Sequence, residues 1–324
     1  MLISLTQSLF FFFTLFCIAR MNFAGPFDLG IYGAVNNWFI KLRGFATSVT
    51  TFIQMTGLMA MPLIAQACIQ YDGWRFGWVI IGTTVLFIGF LPNFLLMVRK
   101  PEDLDLLPDG DHQSLNGNDE NNTNLKNNKI PEPVFTRNEA LKTKAFWVLS
   151  VYTIFVFPVQ AGISLHQAPH LIERGIEPYI TATIVATFSL FSALSGMVFG
   201  LIVRKITIRF SLFSAALCLA FSSTIMIFIS VPWQGYLAAA FFGTGIGGIL
   251  TILPIAWADF FGRASFGAIR GVALFFQVTA QASGPLMSGV LRDFSGDYYR
   301  SLIIFVVFSL SALFISLFAI PPKF

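Results

Sequence analysis

Uninterrupted apolar runs of about 20 residues recur along most of this chain of 324 residues, and that is the length one helix needs to cross the hydrocarbon core of a bilayer. A helix is the form such a run takes there, because each backbone N–H and C=O is then satisfied within its own segment. The composition fits: 56% of the residues are hydrophobic and 11% charged, and 38 are Phe, where soluble domains carry roughly 25% charge. The sequence predicts an all-α, multi-pass membrane protein whose first partner is the lipid bilayer.

The runs place spans at about 9–38, 45–69, 76–98, 145–167, 180–203, 208–230, 233–258, 268–291 and 301–320. Nine helices result, or ten if residues 9–38 form a hairpin turning at Arg20-Met21-Asn22. The polar segment 99–144 holds seven Asn between Asn116 and Asn128. It cannot bury a core and reads as a linker. The chain thus divides into an incomplete helical bundle (1–98), the linker (99–144) and a six-helix bundle (145–324). One set of alternate loops carries 15 of the 20 Lys and Arg, among them Lys41, Arg43, Arg204, Arg263 and Arg270, while the other holds Arg75, Arg174, Arg292 and Arg300. The positive-inside rule then puts the linker and the C-terminus on the cytoplasmic side of a plasma (inner) membrane. On that side the sequon Asn121-Asn122-Thr123 is not expected to be glycosylated.

A repeat runs through the chain. Gly267, Pro285 and Gly296 follow Gly44, Pro62 and Gly73 at a constant offset of 223 residues, and Gln277, Leu286 and Gly248 follow Gln54, Leu63 and Gly25 at the same offset. The offset maps the Pro232–Gly235 loop onto residues 9–12, close to Thr6-Gln7-Ser8, which favours one long helix there. If the halves were equal, roughly 80 residues and most of three helices would precede Met1. The expectation is the C-terminal part of a twelve-helix protein. A membrane protein with two similar halves reads first as a transporter.

The residues resemble the major facilitator superfamily over essentially the whole chain. Trp38-Phe39 with Arg43-Gly44-Phe45-Ala46 and then Gly73-Trp74-Arg75 is similar to that family's fourth and fifth helices. Ala140 to Trp147 is similar to the entry of its seventh, and Ala258 to Arg263 with Phe266-Gly267 to the turn before its eleventh. Within the family the flavour is that of the monocarboxylate and oxalate–formate group. The resemblance implies two helical bundles rocking about a central site. Arg204 stands where the family's loop motif places an Asp.

Charges within a bilayer are costly, so Arg20 and Asp28 are the first site candidates. In an ideal helix they lie about 12 Å apart along the axis and roughly 80° around it. Arg20 could bind a substrate carboxylate with its fork of donors. Asp28 could carry a proton, with Tyr32 and Asn36 continuing its stripe. The apolar segments of the second half hold no Lys or Arg before their ends, so the carboxylate idea rests on Arg20. Gln160, which shares a face with Ser164 and Gln167, and the nearby His166 are further lining candidates. Arg43, Gly44, Gln54, Pro62, Arg204, Gly267, Gln277 and Pro285 are candidates for structure or gating.

Gly243-Thr244-Gly245-Ile246-Gly247-Gly248 has the spacing of a dinucleotide loop, but it lies inside a span with no preceding strand. Its glycines let helices approach closely, as do Gly196 and Gly200. Cys17, Cys68 and Cys218 lie in apolar runs without metal-ligand spacing. No catalytic motif, cofactor signature or metal spacing is present, and the cations scattered through short loops give no nucleic-acid signal. The expected function is secondary transport of a small organic solute, with a carboxylate as the candidate class, by alternating access with proton coupling. The alternative is a truncated, transport-incompetent protein that binds or assembles in the membrane.

Overall fold

The computed structural model describes residues 2–104, 106–110, 133–203 and 205–322. The Asn-rich stretch with its sequon and the gating candidate Arg204 lie outside the described residues, as does the side chain of Pro62. Among the described residues there is no strand.

The first helix, α1 (Leu9–Trp38), is one continuous rod, so the single-helix reading holds against the hairpin. Ser8 starts it by accepting the Phe11 N–H at 3.3 Å. Residues Phe23–Phe27 form a π turn around Pro26. Proline lacks an N–H and crowds the carbonyl four residues back, and the widened turn lets the rod continue past it.

The next helix, α2 (Arg43–Thr84), consists of two arms. At Asp72 (φ −147°, ψ 28°) and Gly73 (φ 79°, ψ 179°) the backbone leaves the helix. A Cβ on Gly77 would stand 3.7 Å from that of Cys68, so the second arm folds back on the first. Glycine alone adopts the Gly73 conformation without strain. The second arm passes through a π turn (Val85–Phe90) into α3 (Leu91–Leu96). It ends beside α1, where Trp38 Nε1 donates to the Val98 carbonyl at 3.0 Å and Asn37 to that of Arg99 at 3.2 Å.

The second half begins with the short α4 (Arg137–Lys142), then α5 (Lys144–Glu173), α6 (Pro178–Ile202), α7 (Ile208–Ile227), α8 (Pro232–Phe261), α9 (Phe266–Ser295) and α10 (Tyr299–Ser316). The core lies here. Phe146, Tyr152, Phe242, Trp257, Phe261 and Phe305 are fully buried, and the Phe146 and Trp257 rings meet edge to face at 5.5 Å. Among the described residues, seven stretches are long and apolar enough to cross a membrane. Of the spans expected from the sequence, α9 falls short of that apolarity. Arg43, Ser48 and Thr51 of the first arm of α2, and Arg270 of α9, are among the side chains that join the two halves.

Small residues set that junction. A Cβ on Gly44 would stand 2.5 Å from the Gly200 carbonyl oxygen, and one on Gly200 would stand 2.3 Å from Ser48 Cβ. The first arm of α2 and α6 therefore cross backbone to backbone, the geometry that small residues permit. One turn further in, Thr251 donates to Thr51 at 3.1 Å. Gly267, related to Gly44 by the repeat, meets nothing within 4 Å, so the two glycines do not share this packing.

The start of the linker straps both halves. The Asp109 carboxylate accepts the N–H groups of Ile40, Lys41 and Leu42 at 3.1, 2.7 and 2.9 Å. Glu102 pairs with Arg263 at 2.7 Å, and Arg263 also donates to the Asn37 carbonyl at 2.9 Å. Partial burial pushes the Glu102 carboxyl up, but its backbone N–H and the Arg263 guanidinium outweigh that and hold the pKa below its ordinary value.

Gly200→Val will overpack the crossing and destabilise the fold by about 1–3 kcal/mol. Gly289→Val, with nothing within 4 Å, will leave the thermal midpoint in mild detergent almost unchanged. Because the Glu102 pKa is lowered on folding, its pairing stabilises above the ordinary carboxyl value of about 4.3 and is lost as pH falls through the lower folded value. The thermal midpoints of the wild type and Glu102→Gln will therefore differ near neutral pH and converge in acid.

Candidate functional site: a buried ion pair between the halves

Asp28 opens the α-helical stretch directly after the π turn of α1. Its Oδ2 meets Arg270 Nη2 at 2.7 Å and Nε at 3.3 Å. Arg270 lies in the second turn of α9 and is 3% exposed. This corrects two expectations. Arg270 is no loop cation, and the second half does contain a buried cation. An ion pair out of water stabilises little relative to apolar packing, but one left without its partner costs about 3–5 kcal/mol. Asp28 is thus what makes the buried Arg270 tolerable.

Tyr32, one turn beyond Asp28, completes the group. The guanidinium carbon lies 5.7 Å from its ring centroid, within reach of a cation–π contact. The Tyr32 hydroxyl donates to the Leu250 carbonyl of α8 at 3.4 Å. Three helices therefore fix the pair. Arg270 Nη1 is buried and has no hydrogen-bond partner among the described residues. Both amide atoms of Asn36, one turn further along α1, are in the same condition, and Asn36 is 1% exposed. The site thus offers a guanidinium with an open donor, a carboxylate, and a carboxamide able to donate and accept.

The other candidates lie elsewhere. Arg20 is exposed, with its guanidinium 5.4 Å from the Phe23 ring. The π turn between it and Asp28 changes their angular relation from that of an ideal helix. Gln160 of α5 accepts from Gln281 of α9 at 3.1 Å. Gln281 is about 16 Å along α9 from Arg270 at the usual helical rise, too far for both to hold one small solute. His166 bonds within the second half, to the Tyr298 hydroxyl at 3.3 Å and the Pro285 carbonyl at 3.2 Å. Pro285 is accepted inside α9 in this company. Gln54 is exposed and Gln277 half-buried, so the repeat does not give them a common environment. Arg43 is buried and pairs with Asp259 at the end of α8 at 2.5 Å, a second ionic tie between the halves. Arg270 escaped notice because it stands four residues into its helix, at the edge of an apolar run. The signal that could have found it was Asp28 itself, since a carboxylate in an apolar run calls for a cation.

The family model described as Major Facilitator Superfamily matches residues 1–285. The chain is also similar to the membrane sensor protein UhpC of Salmonella typhimurium, with 26% identity over 245 residues that make up 72% of this chain and 53% of that relative. It spans about half the length of that curated relative.

Asp28→Ala will leave Arg270 buried and unpaired, lowering stability in mild detergent by about 3–5 kcal/mol. The double change Asp28→Leu with Arg270→Met will recover most of that loss. A double-mutant cycle on thermal or denaturant unfolding checks both.

Proposed function

The chain belongs to the Major Facilitator Superfamily, and on that premise we propose that it serves secondary transport of a small organic anion, a carboxylate, coupled to protons by alternating access. The observation that carries this reading is the buried Arg270–Asp28 pair with its open guanidinium donor. The pair ties α1 to α9, so it must break when the two halves part on the linker side. Breaking it unaided leaves two uncompensated charges. A carboxylate on Arg270 and a proton on Asp28 remove both charges together. Arg presents a planar fork that suits a carboxylate, and the Tyr32 ring and hydroxyl hold the cation in place. The solute and the proton then open the same tie, which is the physical content of coupling in this reading. The linker side corresponds to the cytoplasm by the distribution of cations.

A second reading is a sensor that binds a solute without moving it, and the name of the Salmonella relative favours it. Uptake into proteoliposomes separates the two. On the transport reading a carboxylate such as lactate or oxalate accumulates under an inward proton gradient and a neutral sugar does not. Arg270→Gln will cut that uptake about tenfold or more, and Arg20→Gln will not. Asp28→Asn will retain solute exchange but lose accumulation driven by the gradient. Carboxylate uptake unchanged in Arg270→Gln would sink the reading. A solute-dependent rise in thermal midpoint without any flux would establish the sensor.

A further inference from the structure

Away from the ion pair, a groove of about 780 Å³ opens at the linker-side end of the second half, between the start of α5 and the segment that follows α10. Lys142 and Lys144 line it, and no carboxylate does among the described residues. The nearest acid on the same short helix, Glu139, is already occupied, because its Oε2 accepts the Thr136 N–H at 2.8 Å. That bond holds its pKa below the ordinary value. The groove also contains the beginning of a 30-residue helix. Thr143 accepts only the Phe146 N–H there, at 3.2 Å, so the Lys144 and Ala145 N–H groups have no partner within the helix. Glu139 acts on Lys142 from the first turn of the short helix, and within the groove two lysines and a helix N-terminus meet with no acid among the described lining residues.

The rest of the lining is apolar. Trp147, Val148, Phe318 and Ile320 continue the groove along α5 and the chain after α10. Trp147 is 48% exposed, as Phe318 is at 61%, and the Trp147 indole N–H is fixed on the Leu141 carbonyl at 2.9 Å. Tryptophan at the end of a span, with its N–H turned to the polar side, marks headgroup level. The cationic rim therefore sits at the membrane surface, with the apolar wall below it.

We infer that this groove is a binding site for an anionic phospholipid of the linker-side leaflet, its phosphate held by Lys142, Lys144 and the start of α5 and its acyl chain lying against Trp147 and Phe318. A free phosphate would use the rim but has no use for the apolar wall, which decides for the lipid. Basic pockets between spanning helices are suited to such headgroups. The inference is independent of the solute, since none of these residues belongs to the site around Arg270.

The full chain, reconstituted in phosphatidylcholine vesicles, tests it through quenching of tryptophan fluorescence by lipids brominated on their acyl chains. Brominated phosphatidylglycerol will be preferred over brominated phosphatidylcholine about tenfold at the quenched site. Trp147→Phe will remove the quenching specific to phosphatidylglycerol. The double variant Lys142→Gln with Lys144→Gln will lose the preference, and Lys142→Arg with Lys144→Arg will keep it, which separates loss of charge from loss of fold. Equal quenching by the two lipids, or a preference that survives in the double Gln variant, would overturn the inference. Abolition of the preference by millimolar inorganic phosphate would overturn it as well, assigning the rim to a free anion.

Discussion

Arg270 can lie in the interior only because Asp28 reaches it from the other half. A guanidinium cannot shed its charge by deprotonation, so a buried one demands a counter-ion. That demand sets the height at which α1 meets α9. The remaining ties follow at the same end of the molecule. Arg43 meets Asp259, Arg263 meets Glu102 and the Asn37 carbonyl, and Thr251 meets Thr51. Gly44 and Gly200 let the backbones close up between them. Within the second half the helices pack through apolar surface, and ionic and polar contacts join that half to the first. Such contacts can be exchanged for water or solute, whereas a packed apolar core cannot open without a large loss.

The division of labour explains what could be read from the sequence. Spans such as α5, α7 and α8 were legible because the bilayer imposes both length and apolarity. The single long α1 was legible from the repeat. The first arm of α2 and α9 were legible as helices, and α9 is less apolar than a free-standing span because Arg270 and Gln281 face protein. Asp28 and Tyr32 stood out as polar groups in an apolar run. Their partner did not, because Arg270 has the look of a loop residue until the helix is seen to begin at Phe266. Arg20 was marked by the same logic as Asp28 but is exposed, and the π turn at Phe23–Phe27 leaves no trace that spacing rules for an ideal helix can register. The repeat foretold matching helices and not matching neighbours, as Gly44 and Gly267 illustrate.

The linker is the other element whose role no composition could reveal. Its first residues read as polar filler, yet Asp109 gathers three backbone N–H groups of the turn between α1 and α2, and Glu102 reaches across to the second half. One covalent segment therefore grips both sides of the junction. Its grip is electrostatic and partly exposed to solvent, hence sensitive to salt and acid.

The placing of the crossing has a mechanical consequence. At 1.5 Å per residue α1 is about 45 Å long, and Asp28 stands about 15 Å from its linker-side end. The ties sit near one end of the rod, as a fulcrum does on an unequal lever. A tilt about that point moves the Leu9 end roughly twice as far as the Trp38 end, by the ratio of the two arm lengths. A sub-ångström change at the Asp28–Arg270 contact is thus about doubled at the far surface, where Phe10, Phe11 and Phe13 project.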